Sequence, residues 1–238
     1  GRTDEDIWCW SNPLPTGSDL TAVWAANPRD AWLAATDGTL IHWDGVRWSS
    51  SCGGAWALRG LWGFASTEVW AVGDGGIILR WNGGSWSRVP APARVDLLAV
   101  WGAWPRDVWA VGERGTILHW DGVEWTEVAS ATDADLRSVW GAGADDVWAV
   151  GDGILHWDGT AWTPMHPDGY SGRGLTSVWG LAPDDVWTVG GPTSTILHWD
   201  GSGWTRIAAH PDGFFGLSAV RGVAGDDVWA VGSGNGTC

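Results

Sequence analysis

Apolar residues occur along this chain in short alternating runs, and the set of runs repeats about every 39 residues. The clearest copy spans residues 97–128 and reads LLAVWGAWPRDVWAVGERGTILHWDGVEWTEV. Its runs are rich in Val, Ile and Trp and are bounded by Gly and Asp, which is typical of β-strands joined by tight turns. No run has the spacing of an amphipathic helix. The pattern predicts an all-β chain with four strands per repeat, named a (LLAVWG), b (DVWAVG), c (TILHWDG) and d (WTEV).

Tryptophan occupies the same four positions in successive repeats. The chain contains 25 Trp among 238 residues, and 21 of them fall in these four positions. Four antiparallel strands repeated at this length are typical of the blades of a β-propeller. Most of the indoles are therefore predicted to have a structural role. Strand a carries Trp24, Trp62, Trp101, Trp140 and Trp179; strand b carries Trp32, Trp70, Trp109, Trp148, Trp187 and Trp229; strand c ends on Trp43, Trp81, Trp120, Trp157 and Trp199; strand d carries Trp48, Trp86, Trp125, Trp162 and Trp204.

Six copies of the repeat begin near residues 20, 58, 97, 136, 175 and 217. The sixth copy contains strands a and b. Trp10 precedes Trp24 by 14 residues, the interval that also separates Trp48 from Trp62. Residues 1–19 are therefore predicted to supply strand d of the sixth blade. The prediction is a single domain over residues 1–238, a six-bladed β-propeller of four-stranded antiparallel blades whose ring is closed by this N-terminal strand. A piece of a longer repeat array is the alternative.

Turn lengths predict the register within a blade. The Asp-Gly turn after strand c places Trp120 across from Trp125. The turn between strands b and c is predicted to place Trp109 opposite Leu118 on one face, with His119 on the other face.

Composition narrows the classes of partner. The net charge of −15 disfavours nucleic acid and anionic membranes. No apolar run is long enough to span a bilayer. The chain has three cysteines, an odd number, and two of them lie near its ends. A Cys9–Cys238 disulfide is the favoured pairing, and it would suit an oxidising compartment.

The string DVWAVGxxGTILHWDGxxW resembles the Trp-rich propeller repeats of secreted proteins and lipoproteins of Gram-negative bacteria. It is also similar to the Asp-box (BNR-type) repeats of sialidases and to photosystem II assembly-factor propellers, in which G-x-x-G precedes a strand and an Asp-Gly turn precedes a Trp. The resemblance covers residues 20–236. It implies a propeller fold and a secreted or cell-surface location. The matching positions are Gly112, Gly115, Asp121, Gly122 and Trp125.

Two polar features recur along the repeat, the first in five copies and the second in six, and both are predicted to be structural. A His-Trp-Asp motif ends strand c, with Arg80-Trp81-Asn82 as a variant, and an acidic residue precedes strand b. Both acidic positions are interpreted as turn caps and the histidines as residues packed between blades. We therefore expect no catalytic residue, no metal ligand and no cofactor. The histidines are His42, His119, His156 and His198, and the acids before strand b are Asp30, Glu68, Asp107, Asp146, Asp185 and Asp227.

The functional prediction rests on the residues and loops that depart from the repeat. The loops that join strand d to the next strand a are longest after blades 4 and 5, and both contain His-Pro-Asp-Gly. The strand-a Trp of the sixth blade is replaced by Arg. Aromatic, His, Asp and Arg side chains on adjacent loops predict a ligand pocket at one face of the ring. The candidate ligand-binding residues are His166, Asp168, Tyr170, Arg173, His210, Asp212, Phe214, Phe215 and Arg221.

These features favour a non-enzymatic extracellular binding or scaffold module, with carbohydrate as the first ligand. A protein partner at the cell surface, or self-association into a surface layer, is the second hypothesis. A glycoside hydrolase or lyase is the third, and Asp168 and Asp212 are the only carboxylate pair that would suit it.

Overall fold

The computed structural model describes residues 17–167, 170, 173–191, 194–207 and 214–234. The described residues form strands, turns and two short 3-10 helices, Asp74–Gly76 and Glu113–Gly115, so the all-β prediction is confirmed. No helix in these ranges has the length and apolar character needed to cross a membrane. The strands are β1 (Leu20–Asn27), β2 (Asp30–Ala35), β3 (Thr39–Trp43), β4 (Trp48–Cys52), β5 (Leu58–Ala65), β6 (Glu68–Gly73), β7 (Ile77–Trp81), β8 (Trp86–Arg88), β9 (Leu97–Trp104), β10 (Asp107–Gly112), β11 (Ile117–Trp120), β12 (Trp125–Glu127), β13 (Leu136–Gly143), β14 (Asp146–Gly151), β15 (Ile154–Trp157), β16 (Trp162–Met165), β17 (Leu175–Ala182), β18 (Asp185–Gly190), β19 (Thr195–Trp199), β20 (Trp204–Ile207), β21 (Phe214–Ala224) and β22 (Asp227–Gly234).

The strands form five four-stranded antiparallel sheets and one two-stranded sheet. Each four-stranded sheet follows the predicted order a-b-c-d along the chain, and the two-stranded sheet pairs β21 with β22. We number the sheets 1 to 6 and call each a blade. Strand d of the sixth blade was assigned to residues 1–19, of which residues 1–16 lie outside the described part of the chain. Six complete blades and a closed ring therefore stay predictions.

The blades pack side by side along their first strands. Strand a of each blade contacts strand a of the next, in the succession β1, β5, β9, β13, β17 and β21. Strand b follows it and is the most buried strand in blades 1 to 5, as β10 illustrates with five buried residues out of six. The blades thus fan out from a common line of first strands, with the strand d edges farthest from that line.

Three indoles meet at the interface between neighbouring blades. Trp70 on strand b of blade 2 packs against Trp120 and Trp125 of blade 3, with ring centroids 5.2 Å and 5.4 Å apart. The first contact is tilted by 59° and the second is edge-on at 88°. Edge-on and tilted geometries are the favourable arrangements of aromatic rings. Equivalent triads are built on Trp32, Trp109 and Trp148.

The predicted b–c register is wrong by one residue. Trp109 pairs with His119, and Leu118 pairs with the residue after Trp109. The reason lies in the turn, where Glu113–Gly115 forms a 3-10 helix and the N–H of Thr116 donates to the carbonyl of its first residue. Strand c therefore begins one residue later than expected, and a one-residue shift moves every side chain to the other face. The predicted pairing of Trp120 with Trp125 is confirmed.

Glycine after the strand-a Trp allows neighbouring blades to approach closely. A Cβ atom at Gly141 would lie 2.6 Å from Cη2 of Trp101 in the preceding blade. A Cβ at Gly180 would lie 2.5 Å from the same atom of Trp140. Aromatic rings of the preceding blade cover Gly63, Gly102 and Gly222 in the same way. The small residue is therefore a requirement of the interface.

We predict that Gly141→Ala destabilises the protein by about 1–3 kcal/mol, because the indole of Trp101 and the adjacent backbone must move to admit the methyl group. Gly153→Ala in the same blade is the matched control, since no atom lies within 4 Å of its Cβ position. Urea unfolding followed by Trp fluorescence measures both. Equal stability of the two variants would contradict the packing account.

Candidate functional site

The recurrent histidines of strand c make one and the same contact in four blades. Nε2 of His119 lies 2.6 Å from Oδ1 of Asp107, and the imidazole stacks on Trp109 with centroids 4.2 Å apart. The acids before strand b were predicted to cap turns, and that prediction is wrong at these positions. Each carboxylate instead pairs with a strand c histidine, because the one-residue register shift brings the two to the same face. The other pairs are His42 with Asp30, His156 with Asp146 and His198 with Asp185.

Blade 2 replaces this histidine with arginine and keeps the contact. The Arg80 guanidinium donates to Oε1 of Glu68 and lies 5.1 Å from the centroid of Trp70. Both residues of the pair differ from the other blades, and the longer carboxylate side chain accompanies the longer cation. This compensation indicates a structural role that holds strands b and c together over the interface indole.

The Asp of the His-Trp-Asp motif caps its turn, as predicted. Oδ1 of Asp158 accepts hydrogen bonds from the hydroxyl of Thr160 and from the backbone N–H groups of Thr160 and Ala161. These bonds favour the charged form and lower the pKa of Asp158 to about 2. Asp200 is held in the same way by Ser202 and Gly203, and its pKa is also about 2.

This pKa shift predicts a loss of stability in acid. Because the folded state lowers the pKa of Asp158 from 3.8 to about 2, the stabilisation is fully present above about pH 4 and is lost as the pH falls towards 2. Asp158→Asn should keep the turn, since Asn82 already accepts two backbone N–H bonds at this position in blade 2. The difference in urea midpoint between wild type and variant should shrink from pH 5 to pH 2. A constant difference would contradict the assignment.

Metal and disulfide chemistry find no support in the described residues. No group of three or more His, Cys, Asp or Glu side chains within those ranges is placed to hold a metal ion. Cys52 is exposed and free. Cys9 and Cys238 lie outside the described part of the chain, so their disulfide stays a prediction.

A cleft of about 380 Å³ lies where the first long loop leaves blade 4. His166 and Tyr170, both predicted from sequence, line this cleft together with Met165. Thr132 and Asp152, from the preceding loop and from the b–c turn of the same blade, complete it. Sequence reasoning missed these two, although the b–c turn that holds Asp152 is two residues shorter than those of blades 1 to 3.

Hydrogen bonds fix the polar groups at this cleft. The Tyr170 hydroxyl donates to the carbonyl of Arg173 at 2.8 Å, and burial raises the pKa of Tyr170 to about 12. Asp152 accepts two hydrogen bonds from the Arg137 guanidinium at 2.8 Å and 2.9 Å and a third from the N–H of Gly174. The Arg137 bonds, followed by the Gly174 bond, hold the pKa of Asp152 below its usual range. The carboxylate is therefore a fixed, charge-compensated acceptor.

The remaining candidates fall in three groups. Asp168, His210 and Asp212 lie outside the described residues, as do the side chains of Phe214 and Phe215. Arg173 contributes its carbonyl to the bond with Tyr170, and Arg221 lies on β21 opposite Trp229 and does not line the cleft. A pocket between the two long loops therefore stays a prediction; the described cleft is bounded by the first of them and by the loop before blade 4.

Solved structures match this architecture. No protein-family model matches the sequence, and no curated protein matches it. A structure of YCF48 bound to D1 peptide is 18% identical, with a TM-score of 0.56 and coverage of 93% of this chain and 92% of that one. YCF48 from Cyanidioschyzon merolae is also 18% identical, with a TM-score of 0.54 and coverage of 93% and 95%. The chain is a Trp-rich β-propeller repeat protein. At this identity the similarity shows the fold alone, and the bacterial, extracellular and Asp-box features stay predictions.

Proposed function

We propose that this β-propeller is a non-enzymatic binding module that holds a protein segment in the cleft at His166 and Tyr170. The observation that carries the proposal is the cleft itself. It forms where the loop after blade 4 departs from the repeat. The His–Asp pairs, in contrast, recur in four blades and have a structural role there. Loops held on a rigid scaffold are the usual location of binding residues in propellers and other folds.

The chemistry of the cleft suits a peptide. Met165 and the half-buried ring of Tyr170 offer apolar surface, and Asp152 and Thr132 offer acceptors at fixed positions. Apolar walls with a few fixed polar groups are typical of ligand sites. Because Arg137 already compensates the charge of Asp152, recognition should rest on apolar contacts and hydrogen bonds, and affinity should change little with salt.

A structural neighbour supports this class of partner. The YCF48 structure contains a bound D1 peptide, so a propeller of similar architecture accommodates a peptide. We transfer only the class of partner to this chain, and neither the D1 sequence nor the position of the peptide.

Carbohydrate binding is the second candidate, with Tyr170 as its supporting observation. Sugar recognition by stacking requires an exposed aromatic face. Among the described residues Tyr170 is the only Phe, Tyr or Trp that lines the cleft, and its hydroxyl is already bonded to the carbonyl of Arg173. One partly buried ring favours a peptide over a sugar. A secreted or cell-surface location is part of the proposal and rests on the sequence resemblance.

The test is selection of a displayed random peptide library on the wild-type protein, followed by calorimetry with the selected peptides. Tyr170→Ala should weaken binding by about tenfold or more, as expected for an aromatic anchor. Tyr170→Phe should retain most of the affinity, since its hydroxyl is bonded internally. Arg94→Ala, in a separate cleft formed before blade 3, is the matched control and should bind normally.

Two results would contradict the proposal. The first is the failure of the library to yield any peptide that distinguishes wild type from Tyr170→Ala. The second is binding on a glycan array that disappears in Tyr170→Ala, which would favour a lectin.

A further inference from the structure

Strand d forms the outer edge of each blade, and blade 1 differs there from blades 2 to 5. Edge strands are commonly short or carry charged residues or proline, which prevent another chain from pairing with them. Strand β4 has five residues, no charge and no proline, and its third residue is Ser50. Blade 1 therefore lacks the protection that the next four blades have. Strands β8, β12, β16 and β20 have three or four residues, and their third residues are Arg88, Glu127, Pro164 and Arg206.

The pairing of β4 with β3 shows which backbone groups of β4 point outwards. The N–H of Gly53, one residue beyond β4, donates to the carbonyl of Gly38 at 2.8 Å. Inward bonding alternates along an antiparallel strand, so Ser51 bonds to β3, whereas the N–H and C=O groups of Ser50 point away from the sheet. Pro164 occupies the position of Ser50 in blade 4, where it removes the outward donor. Ser50 keeps that donor.

The residue after Ser50 is a second departure from the repeat. Its equivalents are Val89 in blade 2, Val128 in blade 3 and Met165 in blade 4, and each of these side chains packs against the core between its own blade and the next. Blade 1 has Ser51 at this position. The small polar side chain leaves space between blades 1 and 2 that the three following interfaces fill with an apolar side chain.

This space is a cleft of about 340 Å³ beside β4. Its walls are β4 itself, the stacked rings of Trp32 and His42, and Trp86 of blade 2, and we call it the edge cleft. Ligand sites typically have volumes of about 300–1,000 Å³ and combine apolar walls with a few polar groups. Both blades that form the edge cleft are described, so its lining does not depend on the ends of the chain. Among the described residues, no Asp, Glu or Arg lines it.

We propose that β4 pairs with an extended segment of a partner protein, which adds a fifth strand to blade 1 and inserts a bulky apolar side chain into the edge cleft. In this mode of recognition, main-chain hydrogen bonds provide affinity and side-chain pockets along the edge provide specificity. The net charge of −15 and the absence of a basic residue from the described lining favour a neutral or basic segment over an acidic one. The site is separate from the cleft at Tyr170, and the proposal is independent of the proposed function.

The composition of β4 favours a partner over a second copy of this chain. Side chains alternate along a strand, so Ser49 and Ser51 face blade 2, whereas Trp48 packs against Trp43 on the other face. If two copies paired through β4, each would offer only small side chains to the edge cleft of the other. Both clefts would stay empty, and two chains of charge −15 would be brought together.

Ser50→Pro tests the strand pairing, since it removes the outward N–H and blade 4 accommodates Pro164 at the same position. Peptides are selected from a displayed random library on the wild-type protein, and those that Ser50→Pro retains are discarded. The remaining peptides should bind wild type and the control Ser50→Ala alike, and Ser50→Pro about tenfold or more weakly. They should bind Tyr170→Ala normally, which separates this site from the cleft of the proposed function. Thermal unfolding checks that every variant is folded.

Ser51→Val tests the edge cleft without altering the backbone donors. It restores the apolar residue found in blades 2 and 3, so it should raise the urea midpoint of unfolding. Because the valine occupies part of the cleft, the selected peptides should bind this variant about tenfold more weakly.

Amide hydrogen exchange measured by NMR locates the bound peptide. In the free protein the N–H of Ser50 should exchange fast and that of Ser51 slowly, and a selected peptide should slow the exchange of Ser50. The proposal is overturned if no peptide separates Ser50→Ala from Ser50→Pro, or if the selected peptides leave the exchange of Ser50 unchanged. Slow exchange of Ser50 in the free protein would also overturn it, since the edge would then be paired already, by this chain or by a second copy.

Discussion

The indole triad between blades is the interaction on which this structure depends. In a chain with 37 glycines among 238 residues, the indoles are the largest side chains of the core and pack beside buried Val, Leu, Ile and Ala. The strand-b indoles of blades 1 to 4 each bury roughly 150–250 Å² and meet two further indoles in favourable geometry. Within the described ranges, Nε1 has no hydrogen-bond partner in Trp32, Trp70, Trp109 and Trp148. Ring burial must offset that cost of about 1–3 kcal/mol.

The triad also explains why the polar motifs of the repeat are structural. The imidazole of His119 stacks on the other side of Trp109 while it bonds Asp107, so the pair positions the central indole. Blade 2 achieves the same with Arg80 and Glu68. Features that occur in every blade thus serve the interface. Features that occur once, such as the loop at Tyr170, are free to bind something else.

The sequence predictions were correct for features that depend on residues within one copy of the repeat. Strand order, the Trp120–Trp125 pairing and the Asp cap of the c–d turn all follow from residues close together in one copy. It failed for the b–c register, because the extra residue taken up by the turn at Thr116 is a matter of backbone geometry. That failure hid the pairing of His119 with Asp107. The sequence predicted part of the cleft. Tyr170 lies in a loop that departs from the repeat, whereas Asp152 lines the cleft because the b–c turn of blade 4 lies beside that loop.

The sequence by itself determined the fold class, the four strands of blades 1 to 5 and the six repeats, since periodic apolar runs and turn residues act locally. Only the tertiary structure decided which residues meet across blades. Packing between blades depends on contacts between residues roughly 40 to 55 positions apart, and no local pattern encodes them. The tertiary structure therefore showed that the glycines accept aromatic rings from the preceding blade and that acids before strand b hold histidines.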